Sequence, residues 1–242
     1  MSSKSHFFRH SRGSTPLKLN PVLYINALQG VNLDSNGRVD TVDDLSGNGY
    51  NFESVNITNN VGYEPNGING LPSFRFNNDS VLQNEDTITQ ITDFSQRFIW
   101  CVFEITDVNS GLSYNNIFVY ASNSLFNGGS NFIQLYNPNN TNVFITNYAN
   151  NALDDTVSDS QLTPKYAIID KTSTQLEYTL NSVSSTKSGA YNVNNKNIYL
   201  GKWGNSFSGG KMLISEFGIL NYTPTPQQKQ DLKDYFQNTY NL

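Results

Sequence analysis

The chain has 242 residues, enough for one all-β domain whose core needs no staples, and 14% of them are charged while 13% are aromatic. The formal charge is −5, but residues 1–20 hold basic residues and no acid, so the remainder carries 11 basic and 20 acidic residues. The acidic body excludes a phosphate backbone as ligand, the lone Cys101 excludes an intramolecular disulfide, and no run of about 20 apolar residues is present to span a membrane.

Residues 1–20 read as an extended basic arm. It carries Lys4, Arg9, Arg12 and Lys18, the pair Phe7 and Phe8, and both histidines, His6 and His10. Residues 21–242 form the body. LYI at 23–25 and FRF at 74–76 predict short strands. RFIWCVFEI at 97–105 is apolar at both alternating positions, which predicts a central strand between two layers, with Cys101 as a small buried hydrophobe. NIFVYA at 116–121, FIQLY at 132–136, NVFIT at 142–146 and YAIID at 166–170 continue the series. QLEYTLN at 175–181 alternates, with Leu176, Tyr178 and Leu180 expected inward and Gln175, Glu177 and Thr179 outward. NIYLG at 197–201 and KMLISEFGIL at 211–220 complete the strands. The 36 asparagines, with glycine and serine, supply the turns between them. Strands at this spacing, with no helical period among them, predict an antiparallel β-sandwich. One helix closes the chain: Thr225 is the expected N-cap, Pro226 takes the first helical position, and Leu232, Tyr235, Phe236 and Tyr240 line one side.

DDLSGNGYNF, residues 43–52, packs two carboxylates and two glycines into a short stretch. A cation loop would use Asp43, Asp44 and Asn48, but adjacent carboxylates diverge on an extended backbone. A phosphate cradle would need a following helix and a lysine, and neither is there. The expected reading is a tight turn in which Gly47 and Gly49 take positive φ and Asp44 or Asn48 caps it. EPNGINGLPSFRF at 64–76 is likewise a turn leading into a strand. Neither a metal nor a cofactor is expected.

DLSGNGYNF at 44–52, NGINGLPSFRF at 66–76 and the closing stretch from Ile198 to Leu242 follow one another in a familiar order. Together they resemble the laminin-G-like, concanavalin A-like jelly-roll domains of bacterial surface and phage proteins. PVLYINA at 21–27 matches the opening strand of that family, with Asn26 where an Asp is common, and Gly210, Ile214 and Glu216 stand in recognisable places in the late strand. The resemblance covers residues 21–242 and implies an all-β jelly roll with a C-terminal helix. It leaves function open, because one fold hosts many functions.

The same superfamily includes β-glucanases with a Glu-x-Asp-x-x-Glu strand. That spacing is missing here, Glu104 and Asp107 stand alone, and both histidines lie in the arm, so the chain is expected not to be an enzyme. Glycan binding is the expected activity. Tyr114, Tyr136, Tyr148, Trp203 and Phe207 are the aromatic candidates, with asparagines at 115–116, 139–140 and 150–151 beside them. The N-terminus has no apolar signal core, so synthesis in a host cytoplasm and delivery on a virion are expected. In that reading Lys4, Phe7, Phe8, Arg9, Arg12 and Lys18 grip other virion proteins, and the body meets host-surface glycans. Such a protein would be a capsid decoration, head fibre or tail-associated subunit, and by analogy a homo-oligomer. A free bacterial lectin is the alternative, and a glycoside hydrolase a more distant one.

Overall fold

The computed structural model describes residues 16–55, 60–77, 80–84, 86, 88–90, 96–107, 115–121, 132–137, 143–148, 153–157, 163–172, 174–188, 197–201 and 211–242. In chain order the strands are β1 (Leu23–Asn26), β2 (Val31–Leu33), β3 (Val39–Val42), β4 (Phe52–Ser54), β5 (Gly62–Glu64), β6 (Ser73–Phe76), β7 (Leu82–Asn84), β8 (Arg97–Asp107) and β9 (Asn115–Ala121). They continue with β10 (Phe132–Asn137), β11 (Val143–Tyr148), β12 (Leu153–Val157), β13 (Lys165–Lys171), β14 (Gln175–Leu180), β15 (Val183–Ser188), β16 (Asn197–Leu200) and β17 (Lys211–Leu220). Helix α1 (Pro226–Tyr240) follows.

Among the described residues the strands form two antiparallel sheets. One runs β15-β14-β13-β8-β17-β6-β5, with β1 also paired to β17; the other runs β12-β11-β10-β9-β16-β7-β4-β3-β2. The fold is the β-sandwich with a C-terminal helix that the sequence predicts. β8 shows why the apolar run is continuous. Ile99, Cys101, Phe103 and Ile105 enter the core between the sheets, and Phe98, Trp100 and Val102 enter a second core on the other side of the same sheet.

That second core exists because α1 lies on the eight-stranded sheet. Thr225 caps the helix: its hydroxyl accepts from the Gln228 N–H, and the Gln228 side chain accepts from the Thr225 N–H. Leu232, Phe236 and Tyr240 are buried against Trp100, Tyr166 and Ile168, and each such side chain is worth about 1.5–3 kcal/mol. At the other end, Asn69 of the GING turn donates its amide to the Tyr240 carbonyl. The helix also changes the reading of β14. Leu176, Tyr178 and Leu180 point inward as expected, but Thr179 is buried too. Gln175 is exposed and Glu177 half-buried on the outward side, as expected, and Lys229 of α1 reaches across to pair with Asp170 at 2.5 Å and Glu177 at 3.3 Å.

Pro16–Leu19 is a 3-10 turn with Pro16 and Leu19 buried, and the Tyr222 hydroxyl donates to the Leu19 carbonyl at 2.7 Å. Leu19 joins the core beneath α1. The packed body therefore includes residues 16–20, with Lys18 exposed on the turn. Lys4, Phe7, Phe8, Arg9 and Arg12 lie outside the described residues.

Candidate functional site

DDLSGNGYNF is a turn organised by one carboxylate. Asp44 Oδ1 accepts from the backbone N–H of Tyr24 and of Ser46, both at 3.0 Å. Its Oδ2 accepts from the Ser46 hydroxyl at 2.7 Å and the Tyr50 N–H at 3.1 Å. Gly47 and Gly49 have φ of +87° and +82°, and the Asn48 amide donates to the Val22 carbonyl at 3.0 Å. Both Asp44 oxygens are thus occupied in fastening the turn to β1. Asp44→Ala leaves buried N–H groups unpartnered and is expected to cost on the order of 3 kcal/mol in urea unfolding.

The most unusual electrostatic site is Glu216, fully buried under α1. A bulge at Ser215 shifts the β17–β8 register between Ile214 and Glu216 and turns Glu216 toward the helix. Trp100 Nε1 donates to Oε1 at 2.9 Å. Oε2 accepts from Tyr240 at 2.9 Å, Tyr235 at 3.0 Å and the Asn26 amide at 3.2 Å. One carboxylate therefore ties β1, β8 and β17 to the C-terminal half of the helix. Asn26 fits because its amide donates both to Glu216 and to the Tyr24 hydroxyl while its oxygen accepts from the Leu28 N–H; an ionised carboxylate there would keep the last bond but set a second charge against Glu216.

Burial pushes the Glu216 carboxyl up to about 7 from its ordinary 4.5, against the lowering effect of the hydrogen bonds it accepts. Burial and the nearby Glu216 charge push the Tyr24, Tyr235 and Tyr240 hydroxyls upward as well. A carboxyl raised by folding binds its proton more tightly in the native state. Its stabilisation is fully present below about pH 4.5 and is lost as pH rises through about 7. Between pH 5.5 and 8.5 this loss amounts to about 2 kcal/mol. Urea unfolding of the wild type is expected to show that extra fall, and Glu216→Gln is expected to lack it. Parallel pH profiles for the two chains would contradict the assignment.

Two of the aromatic candidates, Tyr136 and Tyr148, lie in described strands. Asn115 pairs with Asn137, and Leu200 pairs with Phe118, so the start of β9 and the ends of β10 and β16 share one end of the nine-stranded sheet. Tyr136 is at this end. Tyr114, one residue before Asn115, and Trp203, three after Leu200, lie outside the described residues, as does Phe207. Tyr148 is at the other end of the β10–β11 pair, opposite Phe132. The register therefore sets Tyr136 and Tyr148 at opposite ends of the β10–β11 pair. Among the described residues no group of three or more His, Cys, Asp and Glu is placed to hold a metal.

No family model matches the sequence, and no curated protein matches it. Solved structures do match in fold. The binding domain of Paraclostridial Mosquitocidal Protein 1 superposes with a TM-score of 0.66 at 17% identity, covering 92% of this chain and 53% of that one. The botulinum neurotoxin serotype G binding domain gives 0.64 at 15%, covering 90% and 52%. Domain 4 of AbnA, a GH43 extracellular arabinanase from Geobacillus stearothermophilus solved in complex with arabinotriose, gives 0.63 at 16%, covering 88% and 98%. This chain spans about half the length of the toxin binding domains and nearly the whole of the arabinanase domain. At these identities the likeness establishes the fold: the chain is an antiparallel β-sandwich of the kind found in these binding domains.

Proposed function

We propose that the protein is a non-catalytic glycan-binding β-sandwich carried on a phage virion by its basic arm. The observation that carries the glycan reading is the match to the arabinanase domain solved in complex with arabinotriose, which this chain covers almost end to end. The site chemistry supports it. Among the described residues Glu216 and Asp44, both richly hydrogen-bonded carboxylates, serve the fold, and of the aromatic candidates Tyr114, Tyr136, Tyr148, Trp203 and Phe207, Tyr136 and Tyr148 belong to strands of the nine-stranded sheet. The charge contrast between residues 1–20 and the body supports attachment to other virion proteins through Lys4, Phe7, Phe8, Arg9, Arg12 and Lys18, with the body assembled as a homo-oligomer and facing host-surface glycans.

The test is native electrophoresis of the full chain in gels cast with arabinan, β-glucan or galactomannan, with an assay for new reducing ends. Retardation in at least one gel without release of reducing ends is the expected result. Free migration in every gel, or sugar release, would overturn the reading. For the arm, a chain starting at Thr15 keeps the Pro16–Leu19 turn and is expected to fold yet stay out of particles; normal incorporation would contradict the anchoring role.

A further inference from the structure

The dipeptide Asn-Gly occurs five times, beginning at Asn36, Asn48, Asn66, Asn69 and Asn127, and the last lies outside the described residues. Asparagine before glycine is open to cyclisation, because glycine has no Cβ to hinder its nitrogen. The four described pairs are alike in sequence, and the fold makes them unlike. Asn69 is held at both ends: its amide donates to the carbonyls of Tyr240 and Asn241, and the Gly70 N–H donates to the Gly67 carbonyl at 3.1 Å. Asn48 is held through its side chain, whose amide donates to the Val22 carbonyl at 3.0 Å and the Ser46 hydroxyl at 3.1 Å while its oxygen accepts from Gln90 at 3.4 Å. Beside Asn36 the reacting nitrogen is engaged, since the Gly37 N–H donates to the Asp34 carbonyl at 3.0 Å. Asn66 is exposed in the turn between β5 and β6, and among the described residues neither its side chain nor the Gly67 N–H has a hydrogen-bond partner.

We propose that Asn66 is a site of spontaneous covalent modification, deamidating through Gly67 while hydrogen bonds protect the three other described Asn-Gly pairs. The Gly67 nitrogen attacks the Asn66 Cγ. The N–Cγ bond forms, the Cγ–Nδ2 bond breaks, and ammonia leaves with the proton that the Gly67 nitrogen gives up. Water then opens the cyclic imide at either carbonyl, leaving aspartate or isoaspartate. The attack needs a side chain free to swing over the following nitrogen and an N–H not tied to another acceptor. Among the described pairs Asn66 alone meets both conditions. Asn48 and Asn69 must first break bonds, and opening two ordinary hydrogen bonds slows a reaction about ten-fold. Asn36, with one restraint, falls between. Conversion adds a negative charge to a body that already holds 20 acidic against 11 basic residues. As isoaspartate it also routes the main chain through an extra carbon, in the turn that presents Asn69 to the end of α1.

The test incubates the full chain near neutral pH, below its unfolding temperature, and follows each asparagine by peptide mapping with mass spectrometry. A parallel sample in concentrated urea supplies the rates without the fold. In the folded chain Asn66 is expected to convert first, about ten-fold faster than Asn48 and Asn69, with Asn36 between them. In urea the four rates should draw together. Asn66→Gln should remove the fast acidic product on anion exchange and leave the other rates unchanged, because the longer side chain closes the ring far more slowly. Asn66 converting no faster than any of the other three in the folded chain would overturn the assignment. The same ranking persisting in urea would overturn it as well, since the difference would then lie in the local sequence and not in the hydrogen bonds of the fold.

Discussion

Replacing Glu216 by alanine is expected to remove about 4 kcal/mol or more of stability. The substitution takes the acceptor from the Trp100 indole, the Tyr235 and Tyr240 hydroxyls and the Asn26 amide, all within 3.2 Å of a fully buried carboxylate. Each buried donor left without a partner costs about 1–3 kcal/mol, and the cavity adds to it. The tyrosine hydroxyls recover part of this by rotating toward one another, which keeps the total below the simple sum. Because Tyr235 and Tyr240 belong to α1, the helix should loosen first, and hydrogen exchange over residues 226–240 should rise before global unfolding. Glu216→Gln keeps an acceptor for part of the set and should lose less. Urea unfolding at pH 8 measures both, and an alanine variant within 1 kcal/mol of wild type would show that the carboxylate does not hold the helix.

Gly218→Ala is expected to cost about 3 kcal/mol. Gly218 pairs with Trp100 across β17 and β8, and a Cβ there would overlap the indole ring. The indole has nowhere to go. Its Nε1 is held by Glu216, and the rings of Tyr24 and Phe98 stand 6.0 and 6.4 Å from it, centroid to centroid. The constraint is steric, so shrinking the partner should relieve it: adding Trp100→Phe to Gly218→Ala should cost less than the two changes separately. Strict additivity would mean that the glycine serves something other than the approach of the indole.

Long-period features were legible in the sequence. Thr225 followed by Pro226 marks the start of α1, and the unbroken apolar run of β8 marks a strand with a core on each side. The three-residue strands VNL, FES, GYE and LQN were not legible, because three residues carry no period and the pairing of distant segments defines them. The burial of Thr179 on β14 was missed for a related reason: strand alternation reports which positions differ, and a helix about 50 residues later covers part of the outward side while Gln175 stays exposed. Glu216 was visible as a lone carboxylate in KMLISEFGIL, but its partners come from β1, β8 and α1, up to 190 residues away. Tyr136 and Tyr148 stood out among the aromatics. Phe132 and Phe144 did not, since only the β10–β11 register shows them to be cross-strand partners of those tyrosines.

Hydroxyl-radical footprinting of the full chain, with and without a saturating neutral oligosaccharide cut from the polymer it binds, tests the central claim most directly. Protection among the aromatic candidates Tyr114, Tyr136, Tyr148, Trp203 and Phe207, with Tyr50 and Tyr63 unchanged, is the predicted result. Protection of none of the five under saturation would contradict glycan binding through these aromatics.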